Sequence, residues 1–400
     1  MTSNFMRILI LQAGFNELRV IQNLKNEGHY VIAIGNQPGL IGQRYVDEYH
    51  CQDYSKMDEV LEFAKTNKID YVCACCNDTA VLTSVYVAEK MNMKGYDSYE
   101  SAEIIAHKNL FKRFTKVNTI LSVYAEEFDS VELAKEYISK GVEYPLIVKP
   151  VDLSGGKGVS RCDNDTEAIK AIQNAFLISR TKCIVIEPFI EGTQHGFCTF
   201  LHNKKVIACC SNNEISVVNP YRVEIDTFPA DNIEKYESIL IQQVELMAEK
   251  LNLVDGIFHM QYMESNGKIY ILEAMRRIIG NMYSVPASKA CDFDWDYWQA
   301  RASIGESCEE APTRMDRKGY FAYRAIIPHE DGIIKDVYID KSLEPYIFDK
   351  IILEEKGTKV VNHKAWTVGM VFFNFESKEQ MNEIMIHEYD KIYVEMEPCE

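Results

Sequence analysis

Residues 6–35, MRILILQAGFNELRVIQNLKNEGHYVIAIG, constrain the fold more than any other stretch of the chain. Continuous apolar runs predict strands over 7–11 and 30–34. Between them lie a turn at Gly14, an amphipathic helix over 17–26 and a stop at Gly28. Two fully apolar strands joined by a helix form a βαβ unit, whose strands lie parallel and are covered on both faces. KIDYVCACCNDTAVLTSVYVAEKMNMKG, residues 68–95, repeats the strand-to-helix alternation, so the first hundred residues are expected to be doubly wound. QAGFNE keeps only Gly14 of the dinucleotide fingerprint, and no acidic residue closes the second strand, so the turn reads as a tight turn rather than a nucleotide site.

From about residue 107 the pattern becomes α+β. YPLIVKPVDLSGGKGVS, residues 144–160, places a short strand before Lys149 and a glycine loop after it. A P-loop reading fails, because Val151 stands where its first glycine belongs and Gly158 where its hydroxyl belongs. Gly155, Gly156 and Gly158 still allow backbone amides to approach an anion, although a plain glycine turn satisfies the same residues. CIVIEPFIEG ends another strand in a compact hinge-like segment, and residues 231–252 read as a long amphipathic helix. GIFHMQYM and KIYILEAM are joined by ESNG, whose Asn266-Gly267 signals a hairpin. That hairpin sets position 261 nearly opposite 273, so His259, Gln261 and Glu273 share a sheet face, with Met275 and Arg277 if the strand continues. Short strands are expected over 320–326 and 368–373, then a helix from near Ser377.

The net charge of −17 repels nucleic acid and anionic membranes alike, and no lysine- or arginine-rich run offsets it. The twelve cysteines fall in apolar runs such as YVCACC and VIACC, which suit buried thiols in a reducing cytoplasm. No stretch approaches 18 uninterrupted apolar residues, so no membrane span is expected.

Taken in this order and spacing, the helix HKNLFKRF, the strand ending at Lys149, the glycine loop, EPFI and the hairpin resemble the ATP-grasp superfamily of ligases. The arrangement is similar to biotin carboxylase and the purine-pathway carboxylate ligases, and the resemblance covers nearly the whole chain. It implies a Rossmann-like domain over 1–106, a lid over 107–188, a body with the hairpin over 189–310 and a C-terminal subdomain over 311–400. It makes ATP and Mg2+ the cofactors. Lys108 and Lys149 become the pair on the α and β phosphates; Ser154, Gly155, Gly156, Lys157, Gly158 and Val159 become the loop over the β and γ phosphates. Glu187, Pro188, Phe189 and Ile190 become the adenine hinge, read by the Pro188 carbonyl and the Ile190 amide. Gln194 takes a ribose position, Glu273 the magnesium carboxylate with Gln261 assisting, and Arg277 the acyl oxygen, making Lys149 and Arg277 the catalytic pair. Asn281, Tyr283 and Ser284 are candidate substrate contacts.

The chain departs from the pattern at three positions. Gln261 replaces the first metal carboxylate, Met275 an asparagine ligand, and Gln194 a glutamate. Magnesium prefers hard anionic oxygens, so these changes weaken the expected site. The resemblance implies a ligase joining a small-molecule carboxylate to an amine through an acyl phosphate, in a family in which homodimers are common; the cysteine usage makes a cytoplasmic protein the expectation. Bicarbonate activation, and nucleotide binding without catalysis, remain as alternatives.

Overall fold

The computed structural model describes residues 5–74, 76–153 and 156–398. Strand β1 (Arg7–Leu11), helix α1 (Leu18–Asn26), β2 (Tyr30–Gly35), β3 (Glu48–Cys51), α2 (Met57–Thr66), β4 (Tyr71–Ala74) and α3 (Asp78–Met91) build a parallel sheet in the order β3-β2-β1-β4. Period-two alternation divides its side chains between two cores. Ile8, Ile10, Val31 and Ala33 pack toward α1, and Leu9, Leu11, Ile32 and Ile34 toward α2 and α3. The first turn is tight, as expected. The Glu17 carboxylate accepts from the Gly14 amide at 2.8 Å and the Cys76 amide at 3.2 Å, so donors that a phosphate would need there already serve a side chain.

Helices α4 (Tyr99–Ala106) and α5 (Lys108–Val117) lead into a second sheet. It contains β5 (Glu126–Phe128), α6 (Val131–Ser139), β6 (Leu146–Pro150), β7 (Ser160–Cys162), α7 (Asp165–Ile178) and β8 (Ile184–Pro188), with strand order β5-β8-β6-β7. In the antiparallel β6–β8 pair, Ile147 opposes Glu187 and Lys149 opposes Val185. Lys149 and Glu187 therefore sit diagonally on one face.

The following elements are β9 (Thr193–His202), β10 (Lys205–Ile215), β11 (Ile225–Phe228), α8 (Ile233–Lys250), β12 (Gly256–Ser265), β13 (Lys268–Met275), α9 (Ser284–Cys291), α10 (Trp295–Ser303), β14 (Tyr320–Ile326), β15 (Gly332–Ile339), β16 (Ile347–Ile352), β17 (Lys359–Val360), β18 (Gly369–Phe375), α11 (Lys378–Asn382) and β19 (Ile392–Glu397). Eight of these strands run in the order β13-β12-β9-β10-β11-β14-β18-β16, and β17-β15-β19 form a separate three-stranded sheet. Asn266 and Gly267 both take left-handed φ, 50° and 75°, as a two-residue hairpin turn requires. Gln261 pairs with Glu273, and the register shifts between Gln261 and Tyr262. This bulge at Leu272 turns near-opposition into direct opposition.

Gly95 (φ +95°) ties the parallel domain to α10, since a Cβ there would lie 2.3 Å from the Ala302 carbonyl oxygen. Backbone atoms cannot move aside as a side chain can. Gly95→Ala is expected to cost about 2–4 kcal/mol, read as a lowered urea midpoint at unchanged slope. An unaltered midpoint would mean that this junction yields freely.

Candidate functional site

A cleft of about 580 Å3 opens between the sheet of β5–β8 and the floor of β9, β10, β12 and β13. Of the residues singled out from sequence, Lys108, Lys149, Gly156, Val159, Glu187, Pro188, Phe189, Ile190, Gln194, Gln261 and Glu273 line it. Lys157 is exposed, and Gly158 (φ +76°) packs against Ile178 and Pro150, so neither reaches the cleft wall. Ser154 and Gly155 lie outside the described residues.

At one end the Lys149 ammonium donates to Glu187 Oε1 at 2.5 Å, and Lys112 Nζ stands 3.6 Å from Glu187 Oε2. Glu187 is 4% exposed. Burial raises its carboxyl, but Lys149 and then Lys112 outweigh this and hold it below the usual range. One buried anion thus fixes two cations, leaving the group a net positive charge that faces the cleft through Lys149. Lys108, the first residue of α5, adds a third cation. Its Nζ donates to the Leu153 carbonyl at 2.6 Å and lies 3.6 Å from Glu273 Oε2, spanning from the loop to the hairpin.

Lys112 was not singled out from sequence. The signal was available: it follows Lys108 by four residues, one helical turn, and so shares its face. Burial, with the Lys149 charge adding to it, lowers Lys112 to about 8. The unfolded chain keeps this proton to about 10.4. Between those values the unfolded state binds more protons, so the Lys112 contribution to stability rises with pH there and is lost as pH falls through about 8. Lys112→Gln is expected to flatten that rise in a thermal-melt series; equal slopes would place the titrating group elsewhere.

The glycine loop is held by its own geometry. A Cβ on Gly156 (φ +73°) would lie 2.3 Å from the Tyr221 carbonyl oxygen, so the loop rests on a second loop that only glycine lets it approach. The Tyr221 hydroxyl accepts from the Arg161 amide at 2.9 Å, joining that loop to β7. Toward the hinge the cleft turns apolar, with Ile147, Val159, Ile190, Met263 and Leu272 on its walls. Phe189 is anchored by its amide to the Pro145 carbonyl at 2.9 Å and carries the Arg161 guanidinium 4.4 Å above its ring. An apolar slot beside a cluster of cations suits a planar base attached to phosphates.

On the floor, Gln194 and Gln261 donate to the same oxygen, Glu214 Oε2, at 2.6 and 2.7 Å. Gln261 thereby commits one amide hydrogen to Glu214 and keeps its Oε1 as an acceptor. Burial pushes Glu214 up to about 7, with the Glu273 charge adding to the rise and the two amides opposing it. Glu214 was also missed from sequence. Asp226, opposite it on β11, is raised well above the carboxylate range by burial first and by Glu214 second, and accepts from Asn212 at 2.9 Å. Oxygen donors from Glu273, Gln261 and Glu214 on one floor have the hardness that Mg2+ requires. No three His, Cys, Asp or Glu side chains among the described residues surround a single metal position, so phosphate oxygens would have to complete the set.

Arg277 lies past the end of β13 and outside the cleft. It shares a small cavity of about 40 Å3 with Lys108, Glu273 and Met275, and its Nε donates to Asp78 at 2.5 Å. The three residues expected beside it as substrate contacts are otherwise engaged. Tyr283 and Ser284 are 1% and 5% exposed within the core, and the Asn281 amide donates to the Val223 carbonyl at 3.1 Å. The tyrosine hydroxyl donates to Asn212 at 3.0 Å. The turn after the hairpin leads into α9 and carries these side chains inward, which strand alternation could not foresee.

Comparison with known proteins supports the same architecture. Residues 106–217 match the family model of the phosphoribosylglycinamide synthetase ATP-grasp (A) domain. The phosphoribosylamine–glycine ligase of Fusobacterium nucleatum subsp. nucleatum is 22% identical over 291 residues, covering 68% of each chain. The carbamoyl phosphate synthase large chain of Thermoanaerobacter sp. (strain X514) is 23% identical over 272 residues, which is 67% of this chain but 25% of that much longer one. The crystal structure of the L-amino acid ligase of Bacillus licheniformis superposes with a TM-score of 0.82 at 16% identity, covering 98% of this chain and 99% of that one. With the lid sheet, the hairpin floor and the cleft between them in this order, the chain has the ATP-grasp fold.

Proposed function

We propose that the chain is an ATP-dependent ligase that activates a carboxylate as an acyl phosphate and joins it to an amine, releasing ADP and phosphate. The observation that carries this reading is the junction at Lys108, whose ammonium lies between the glycine-loop segment and Glu273 while Arg277 stands just beyond in the adjoining cavity. Phosphates laid along Lys149 and Lys108 would end within reach of an acyl group beside Arg277. The names of the matched relatives, two of them amine-joining ligases, point the same way.

The obstacle in such a reaction is electrostatic, since a carboxylate must approach a polyanion. Bound magnesium would supply neutralisation of phosphate charge, with Glu273 and Gln261 as its protein ligands. Lys149 and Lys108 would hold the phosphates in line, and their positions are fixed before substrate arrives by Glu187 and by the Leu153 carbonyl. The carboxylate oxygen bonds to the γ-phosphorus as the bond to ADP breaks. The amine nitrogen then bonds to the carbonyl carbon, loses its proton, and expels phosphate carrying that carboxylate oxygen. The loop around Gly156 would exclude water in between.

The isotopic outcome is specific. With 18O-carboxylate acids from a mixed pool and an amine present, the released phosphate should carry one 18O; unlabelled phosphate accompanying amide formation would contradict an acyl phosphate.

A further inference from the structure

We infer that Glu214 supplies the second carboxylate of the divalent-cation site, taking the charge that position 261 lacks. The inference rests on the nucleotide reading above and deepens it. Glu214 comes from β10, two strands from β12, yet its side chain reaches the same floor as Glu273 and Gln261. Gly196 of β9 lies between β12 and β10 opposite Gln261, with the Asn212 side chain filling the space beside it, and Gln261 reaches across β9 to Glu214.

Three observations converge on a cation there. The two amides converge on Oε2, while Oε1 points toward His259 Nε2 at 3.9 Å, beyond hydrogen-bond range. His259 is 1% exposed, and neither ring nitrogen has a hydrogen-bond partner among the described residues. A buried imidazole with both nitrogens unpaired costs stability unless something else satisfies it. Finally, no lysine or arginine among the described residues forms an ion pair with Glu214, although its side chain is 4% exposed in a cleft lined by Glu273. An uncompensated carboxylate here repels both Glu273 and any phosphate, and a divalent cation between them reverses the sign of both interactions. Gln261 then serves as a ligand by its carbonyl oxygen and as the clamp that orients Glu214 by its amide.

Mn2+ is the probe, titrated by its free-ion EPR signal against the full chain at saturating ADP. Glu214→Gln preserves shape and should raise the Mn2+ Kd at least about tenfold. ADP affinity without metal should hold or improve, because a repulsive charge is gone. The double variant Glu214→Gln/Gln261→Glu, which moves the carboxylate across the same pair, should recover much of the Mn2+ affinity; no recovery would mean that Glu214→Gln acts by damaging the floor and would count against the inference. Thermal melts confirm that each variant is folded. If Glu273→Gln weakens Mn2+ binding while Glu214→Gln leaves it unchanged, the inference fails and the nucleotide reading stands. If the wild-type chain binds neither ADP nor Mn2+, both fail together.

Discussion

Lys149→Met should abolish ATP turnover, with a loss of at least about 10²–10³, because a charge fixed before the reaction is removed from the phosphates. The same substitution leaves Glu187, 4% exposed, facing Lys112 alone. Breaking a buried pair from one side costs about 3–5 kcal/mol, so lost activity alone would be ambiguous. Adding Glu187→Gln and Lys112→Gln separates the two effects. The triple variant should regain most of the stability, since no buried charge of the group is left unpaired, and none of the turnover. Recovery of turnover with stability would reduce Lys149 to a scaffold for the lid.

Arg277→Lys should lower turnover by about 10²–10³ and leave ADP affinity unchanged. Arg277 stands outside the nucleotide cleft and spends its Nε on Asp78, which leaves part of a planar fork to meet an acyl oxygen. A lysine keeps the charge but cannot hold Asp78 and a second partner in that plane. Steady-state kinetics and ADP calorimetry on the one variant check both halves. A parallel fall in ADP affinity would assign Arg277 to the nucleotide instead of the acyl group.

Local chemistry made much of this molecule legible. β1 and β14 occupy the expected residues: β1 is apolar after Arg7 and stops short of the Gly14 turn, and β14 is apolar and aromatic but for Arg324 and stops short of Pro328. Asn266-Gly267 set the hairpin, and with it the opposition of Gln261 and Glu273. What escaped depends on neighbours distant in sequence. Glu214 meets Gln194 and Gln261 across separations of 20 and 47 residues, through a β9–β10 hairpin whose Asn203-Lys204 turn is a weaker signal than Asn-Gly. The strands of the small C-terminal sheet alternate poorly: Lys335 and Asp336 follow one another in β15, where the pairing with β19 shifts register. Lys112 owes its place in the site to Glu187, which β8 brings beside it. Arg277 was placed on the floor by extending an alternation that stops at Met275.

The most direct test of the central claim is release of ADP and phosphate from ATP and Mg2+ with pooled amino acids, hydroxy acids, sugar acids and bicarbonate, each with and without amines. The account predicts release that requires an organic acid and an amine together. Release that requires only bicarbonate, or tight ATP binding with no release under any mixture, would contradict it.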